Sequence, residues 1–127
     1  MKGGYVDGFA FVVPKKNFAA YKKMATMASK IWKKHGALEY YECMGDDLRV
    51  KPMGDMKPRS FVEMTKAKPG DAVWFSFIVY KNRKHRDTVN AKVMKDPAMN
   101  DPALAKMPMP FDTKKMAYGG FKTIVTA

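Results

Sequence analysis

The segment Val73–Tyr80, Val-Trp-Phe-Ser-Phe-Ile-Val-Tyr, places apolar or aromatic side chains at both parities of a strand, with Ser76 as the one interruption. Successive residues of a strand point to opposite faces, so a strand of this kind needs cover on both sides. The first strand, Tyr5–Val13, is similarly apolar near its end, from Phe9 to Val13, and Pro14 closes it. Between and after these strands lie only two long helical patterns. Two helices cover one face of a small sheet, which leaves the opposite face to be buried by something else, most simply a second copy of the chain.

The rest of the chain fills in around those strands. Asn17 is placed to cap a helix in which Phe18, Tyr21, Ala25, Ala28, Trp32 and His35 recur at three-and-four spacing, and Gly36 supplies its stop. A second strand is expected over Ala37–Met44. Leu48–Arg59, broken by Pro52, Gly54 and Pro58, reads as an exposed loop. A short strand is expected around Ser60–Lys66, with Pro69-Gly70 turning into Val73–Tyr80. Asn82 caps a second helix that runs to about Lys95 and stops before Pro97. The Pro- and Met-rich stretch from Asp96 to Met109 reads as a short helix between turns, and the last strand is expected over Met116–Val125, kinked at Gly119-Gly120.

Length and charge narrow the possible functions. A chain of 127 residues suffices for a single domain, 1–127, with a core of its own. Cys43 is the lone cysteine, which rules out an internal disulfide framework. Met1-Lys2-Gly3-Gly4-Tyr5 runs straight into strand-like sequence, and no apolar run approaches the roughly 18 residues of a membrane span, so a cytoplasmic, membrane-free protein is expected. The formal charge of +12 makes it a basic protein. Its basic residues, however, are lysines apart from Arg49, Arg59, Arg83 and Arg86, and many lie along the outside of the first helix. That distribution reads as a solvated surface, and nucleic-acid binding is the more distant reading.

Several segments carry a resemblance. Tyr5-Val6-Asp7-Gly8-Phe9, His35-Gly36-Ala37-Leu38, Glu42 through Asp47, Asn90 through Pro97, and Met109 through Phe121 resemble the YbaA-like family of small bacterial proteins of unknown function. The resemblance implies an α+β protomer of ferredoxin-like βαββαβ type. Its four-stranded antiparallel sheet would pair with a second copy into a dimeric α+β barrel, the helices lying outside. It implies no activity. The wider superfamily includes cofactor-independent oxygenases and haem-degrading enzymes, and the order Asp7, Trp74, His85 is a faint echo of the latter.

Candidate ligand contacts follow from position. Arg86 and Asn90 are four apart on one helix face, flanked by Val89 and Val93, which is the composition of a site wall. His85 adjoins them. Arg86 would either orient an anionic or carbonyl-bearing ligand or pair with a carboxylate such as Asp7 or Glu42 as a structural bridge. Glu42 and Cys43 must point to opposite faces of their strand, and Trp74 stands as a wall of the cleft. Cys43 lacks a neighbouring base and reads as an inert thiol, and His35 reads as a structural residue at its helix end. The two histidines and single cysteine lack metal-site spacing, so neither a metal nor a cofactor is expected. Two functions stay open: a homodimer binding a small organic molecule between sheet and helices, with oxygenase-like catalysis undecided, or a noncatalytic dimeric interaction module.

Overall fold

A computed structural model describes residues 3–127. The strands are β1 (Tyr5–Pro14), β2 (Glu39–Met44), β3 (Asp71–Tyr80) and β4 (Ala117–Lys122), and the helices are α1 (Phe18–Lys34), α2 (Phe61–Thr65), α3 (Arg83–Met94) and α4 (Pro102–Lys106). Short 3-10 turns precede α1 and β4. One antiparallel sheet runs in the order β2-β3-β1-β4. The central strands are therefore β3 and β1, the two that are apolar at both parities and can tolerate burial on both sides.

Register sorts the side chains by face. Phe11 pairs with Trp74, Asp7 with Ile78, Glu42 with Ser76 and Gly120 with Asp7. Tyr5, Asp7, Phe9, Phe11 and Val13 thus share the face covered by α1 and α3 with Tyr40, Glu42, Trp74, Ser76, Ile78, Tyr80 and Tyr118. Two apolar clusters fill that layer. Phe11, Val13, Tyr21, Ala25 and Trp74 form one under the first half of α1, while Tyr5, Ile31, Ala37, Ile78, Tyr80, Val89 and Val93 form the other where α1 meets α3. Truncating Phe11, which is 1% exposed, to Ala would cost about 3–5 kcal/mol.

The opposite face carries Val6, Gly8, Ala10, Tyr41, Cys43, Phe75, Phe77, Val79 and Phe121. Tyr41, Phe75 and Phe121 are exposed there, with Phe61 and Met64 of α2 beside them. Phe61, Met64, Phe75 and Phe121 bound an apolar trough of about 660 Å³, and Tyr41 stacks on Phe77 beside it.

Local signals account for most element ends. The Asn82 side chain accepts the His85 N–H at 2.7 Å and caps α3. Gly36 sits at φ +114°, the left-handed conformation that closes α1, with the Ala37 N–H on the Trp32 carbonyl at 3.0 Å. Asn17 precedes α1 but does not cap it; its amide instead donates to the Pro110 carbonyl at 2.9 Å and ties the helix start to the later loop.

The short strand expected around Ser60–Lys66 is instead the helix α2. Ser60 accepts from the Glu63 N–H at 3.1 Å and Lys66 closes the helix in the left-handed conformation at φ 56°. Ser60-x-x-Glu63 is the sequence pattern of a helix start, and those end signals outweigh the β-preference of Phe61-Val62. The last strand also ends earlier than expected, at Lys122, since Thr123 still bonds Gly4 but Ile124 and Val125 are exposed.

Candidate functional site

Two polar groupings interrupt the apolar layer between sheet and helices, and they differ in whether they are closed. The first is built on Asp7, at the β1 position directly beneath the start of α3. Asp7 is 2% exposed on its side chain, and Arg86 reaches it from the first turn of α3 with Nη1 3.0 Å from Oδ1. The same guanidinium donates to the Tyr118 hydroxyl at 3.0 Å, the Tyr5 hydroxyl at 3.3 Å and Asp87 at 2.7 Å, and stacks 5.0 Å above the Tyr5 ring. Burial pushes the Asp7 carboxyl above the ordinary carboxylate range, against the opposing pull of Arg86 and the hydrogen bonds of Tyr118 and Asn90.

Gly120 stands opposite Asp7 in the register, and a Cβ there would collide with the Tyr5 hydroxyl. The backbone must come close at this point for the tyrosine to reach Arg86. Asn90, one turn after Arg86, accepts from the Trp32 indole at 3.1 Å and the Tyr80 hydroxyl at 3.3 Å. Arg86 and Asn90 therefore do share one helix face turned to the sheet, and the structure brings Asp7 to them. Among the described residues, no buried polar side-chain atom of this group lacks a partner in the protein.

His85 lies to one side of this group. Its Nδ1 accepts the Lys81 N–H at 2.9 Å, which leaves the ring proton on Nε2, the nitrogen that lies beside Gly36. Burial, with the charge of Lys81, lowers its pKa. Held on one nitrogen by the Lys81 N–H and lying beside Gly36, the imidazole packs the start of α3 against the end of α1. Among the described residues, no three or more His, Cys, Asp or Glu side chains group as metal ligands.

The second grouping is open to solvent. Glu42 and Tyr40 of β2, Trp74 of β3, and Phe18, Lys22, Ala25, Thr26 and Ser29 of α1 line a cleft of about 310 Å³. Glu42 is its carboxylate. The Tyr21 and Tyr40 hydroxyls donate to its two oxygens at 2.7 and 2.8 Å, and the Ser76 hydroxyl donates to the same oxygen as Tyr21. Burial, and then Glu42 itself, push the pKa of both phenols far above the ordinary tyrosine range, so both remain donors. Trp74 and Phe18 form the apolar wall, with ring centroids 6.1 Å apart.

Sequence reasoning named Glu42 and Trp74 but missed the hydroxyls around them and Lys22 above. Tyr21 reads as part of an apolar helical stripe and Lys22 as part of a solvated face, because helical periodicity does not say which strand residue lies beneath. A signal for Ser76 was present: it is the one interruption of the apolar run Val73–Tyr80 and falls opposite Glu42. His35, placed by the sequence at the end of α1, has Nε2 2.6 Å from Asp96, whose other supports are Lys34 at 3.2 Å and the Ala98 N–H at 2.8 Å. These contacts, led by His35, hold the Asp96 carboxyl down to about 2 and lock the end of α1 to the segment after α3.

Residues 4–113 match the family model described as "Protein of unknown function (DUF1428)". The chain is also 40% identical over 121 residues to the uncharacterized protein YbaA of Escherichia coli K12, covering 95% of this chain and 97% of that one, and equally similar to the YbaA of Shigella flexneri. On that extent of similarity, the chain belongs to the YbaA-like DUF1428 family.

Proposed function

We propose that the protein binds a small organic molecule in the cleft between α1 and the sheet, with Glu42 as the polar contact and Trp74 as the wall, and that it works as a homodimer. The observation that carries the reading is the contrast between the two polar groupings. The Asp7, Arg86, Asn90 set is satisfied internally and serves as framework, with His85 packed beside it. The Glu42 set stands in an open cleft with an aromatic wall, at the lower end of the volume range of small-molecule sites.

The dimer rests on the uncovered sheet face. Its exposed Tyr41, Phe75 and Phe121, joined by Phe61 and Met64, form one continuous apolar surface. The strand order β2-β3-β1-β4, with α1 and α3 on one side, supports a ferredoxin-like protomer whose free face meets a second copy to make a barrel. Pairing of this kind should bury more than about 1,200 Å² in total. The same apolar face also favours the second reading, a noncatalytic interaction module in which the Glu42 cluster only orders the packing of α1 on β2.

A fragment screen by amide chemical-shift mapping tests the first reading. Ligands that shift Thr26, Ser29, Tyr40 and Glu42 together are expected. If broad coverage of fragment chemistry leaves those four unmoved while sedimentation still gives a dimer, the cleft reading fails and the module stands.

A further inference from the structure

We infer that the ligand of this cleft is a small zwitterion, its ammonium group seated on Glu42 against Trp74 and its anionic group held by Lys22. This rests on the reading of the cleft as the ligand site. Among the described residues no Lys, Arg or His lies within ion-pair distance of Glu42, in a chain with a formal charge of +12. A half-buried carboxylate without a counter-ion is electrostatically incomplete, and hydroxyl donors reduce that cost without cancelling the charge.

The hydrogen-bond inventory points the same way. A carboxylate only accepts, and a hydroxyl has one proton. Tyr21, Tyr40 and Ser76 have each given theirs to Glu42. The four groups together have no proton left to offer and retain only lone pairs. On the opposite wall, the Thr26 hydroxyl donates to the Lys22 carbonyl and the Ser29 hydroxyl to the Thr26 carbonyl, both at 2.7 Å. Those protons are spent as well.

A ligand that completes the Glu42 cluster must therefore bring donors, and a positive charge is the strongest form of donor there. The indole of Trp74, bordering the cleft beside Phe18, adds an aromatic surround that favours such a cation. Lys22 is the remaining charged group on the cleft wall and forms no ion pair among the described residues, which leaves it for an anionic substituent at the outer end. An amino acid with an apolar side chain has this arrangement of groups and a size suited to about 310 Å³.

Three probes of one shape separate the contributions: phenylalanine as zwitterion, phenethylamine as cation and 3-phenylpropionate as anion. Titration followed by the amide shifts of Thr26 and Ser29 should rank them in that order. Glu42→Gln should weaken phenylalanine and phenethylamine by about tenfold or more, and Lys22→Gln should weaken phenylalanine while leaving phenethylamine unchanged. Should Glu42→Gln fail to fold, the probe order and the Lys22→Gln arm still decide. Binding of 3-phenylpropionate as tight as that of phenylalanine, or phenylalanine binding indifferent to Lys22→Gln, overturns the zwitterion. If the three probes leave the cleft unmoved while other fragments bind there, the ligand class is wrong and the cleft stands; if no fragment binds there, both readings fall.

Discussion

Arg86 and Asp96 sit at the two ends of α3 and show how differently single ion pairs depend on pH. Arg86→Met leaves Asp7 buried without its counter-charge, which should cost about 3–5 kcal/mol of unfolding free energy at pH 7. Burial already raises the Asp7 pKa, and losing Arg86 raises it further. A carboxyl whose folded pKa is raised destabilises the fold once the pH exceeds the ordinary value of 3.8, so the deficit of Arg86→Met should shrink as the pH falls toward about 4. Urea titrations at pH 7 and pH 4.5 measure it; an equal deficit at both would show that lost packing, not charge, dominates. Asp96 has the opposite sign. Its folded pKa is depressed to about 2, so its contribution is complete above the unfolded value of 3.8 and is lost as the pH falls through about 2. The stability gap between the native chain and Asp96→Asn should be constant near neutrality and close over that acid window, read by melting temperature from pH 6 to pH 2.

At the scale of elements, cap chemistry determines where helices begin, and the asparagines before α1 and α3 make an internal comparison. Asn82→Ala removes the bond to the His85 N–H and frees the N-terminus of α3, at a cost of about 1 kcal/mol. Asn17→Ala removes no cap bond. Its effect should appear instead as faster hydrogen exchange around Pro110, whose carbonyl loses its donor. If Asn82→Ala leaves the denaturation midpoint unmoved, the capping argument for α3 is wrong. The same chemistry explains α2, where Ser60 and Lys66 close both ends of a helix only five residues long. A helix that short is stable only through its packing, which here includes Phe61 against Phe75 at 6.3 Å.

For the whole molecule, the decisive property is the free sheet face, and Cys43 reports on it. Cys43 points to that face beside Phe75 and is exposed. If two copies pair there as proposed, its reaction with a thiol reagent should slow as protein concentration rises through the dimer dissociation range and quicken on dilution. Labelling at one rate from nanomolar to tens of micromolar protein would count against pairing through this surface. Phe75→Lys or Phe121→Lys should then release folded monomers, because both side chains are exposed and leave the layer under the helices untouched.

Residue order alone determined the parts that depend on local physics. Strand parity, the three-and-four stripe of α1, the Asn82 cap and the Gly36 stop are short-range regularities, and each held in the structure. The same locality misled at Ser60–Lys66, where β-preferring residues lie inside a helix delimited by its own caps. Register and layer packing were decided only by the tertiary structure. The sequence could place Glu42 and Cys43 on opposite faces, yet which of them met the helices depended on the pairing of Glu42 with Ser76. Arg86 could have reached either Asp7 or Glu42, and the packing of α3 on the sheet settled the partner as Asp7. The phenols on Glu42 come from α1 and β2, nineteen residues apart in the chain. Spacing along a chain carries no information about contacts of that kind until the elements are packed.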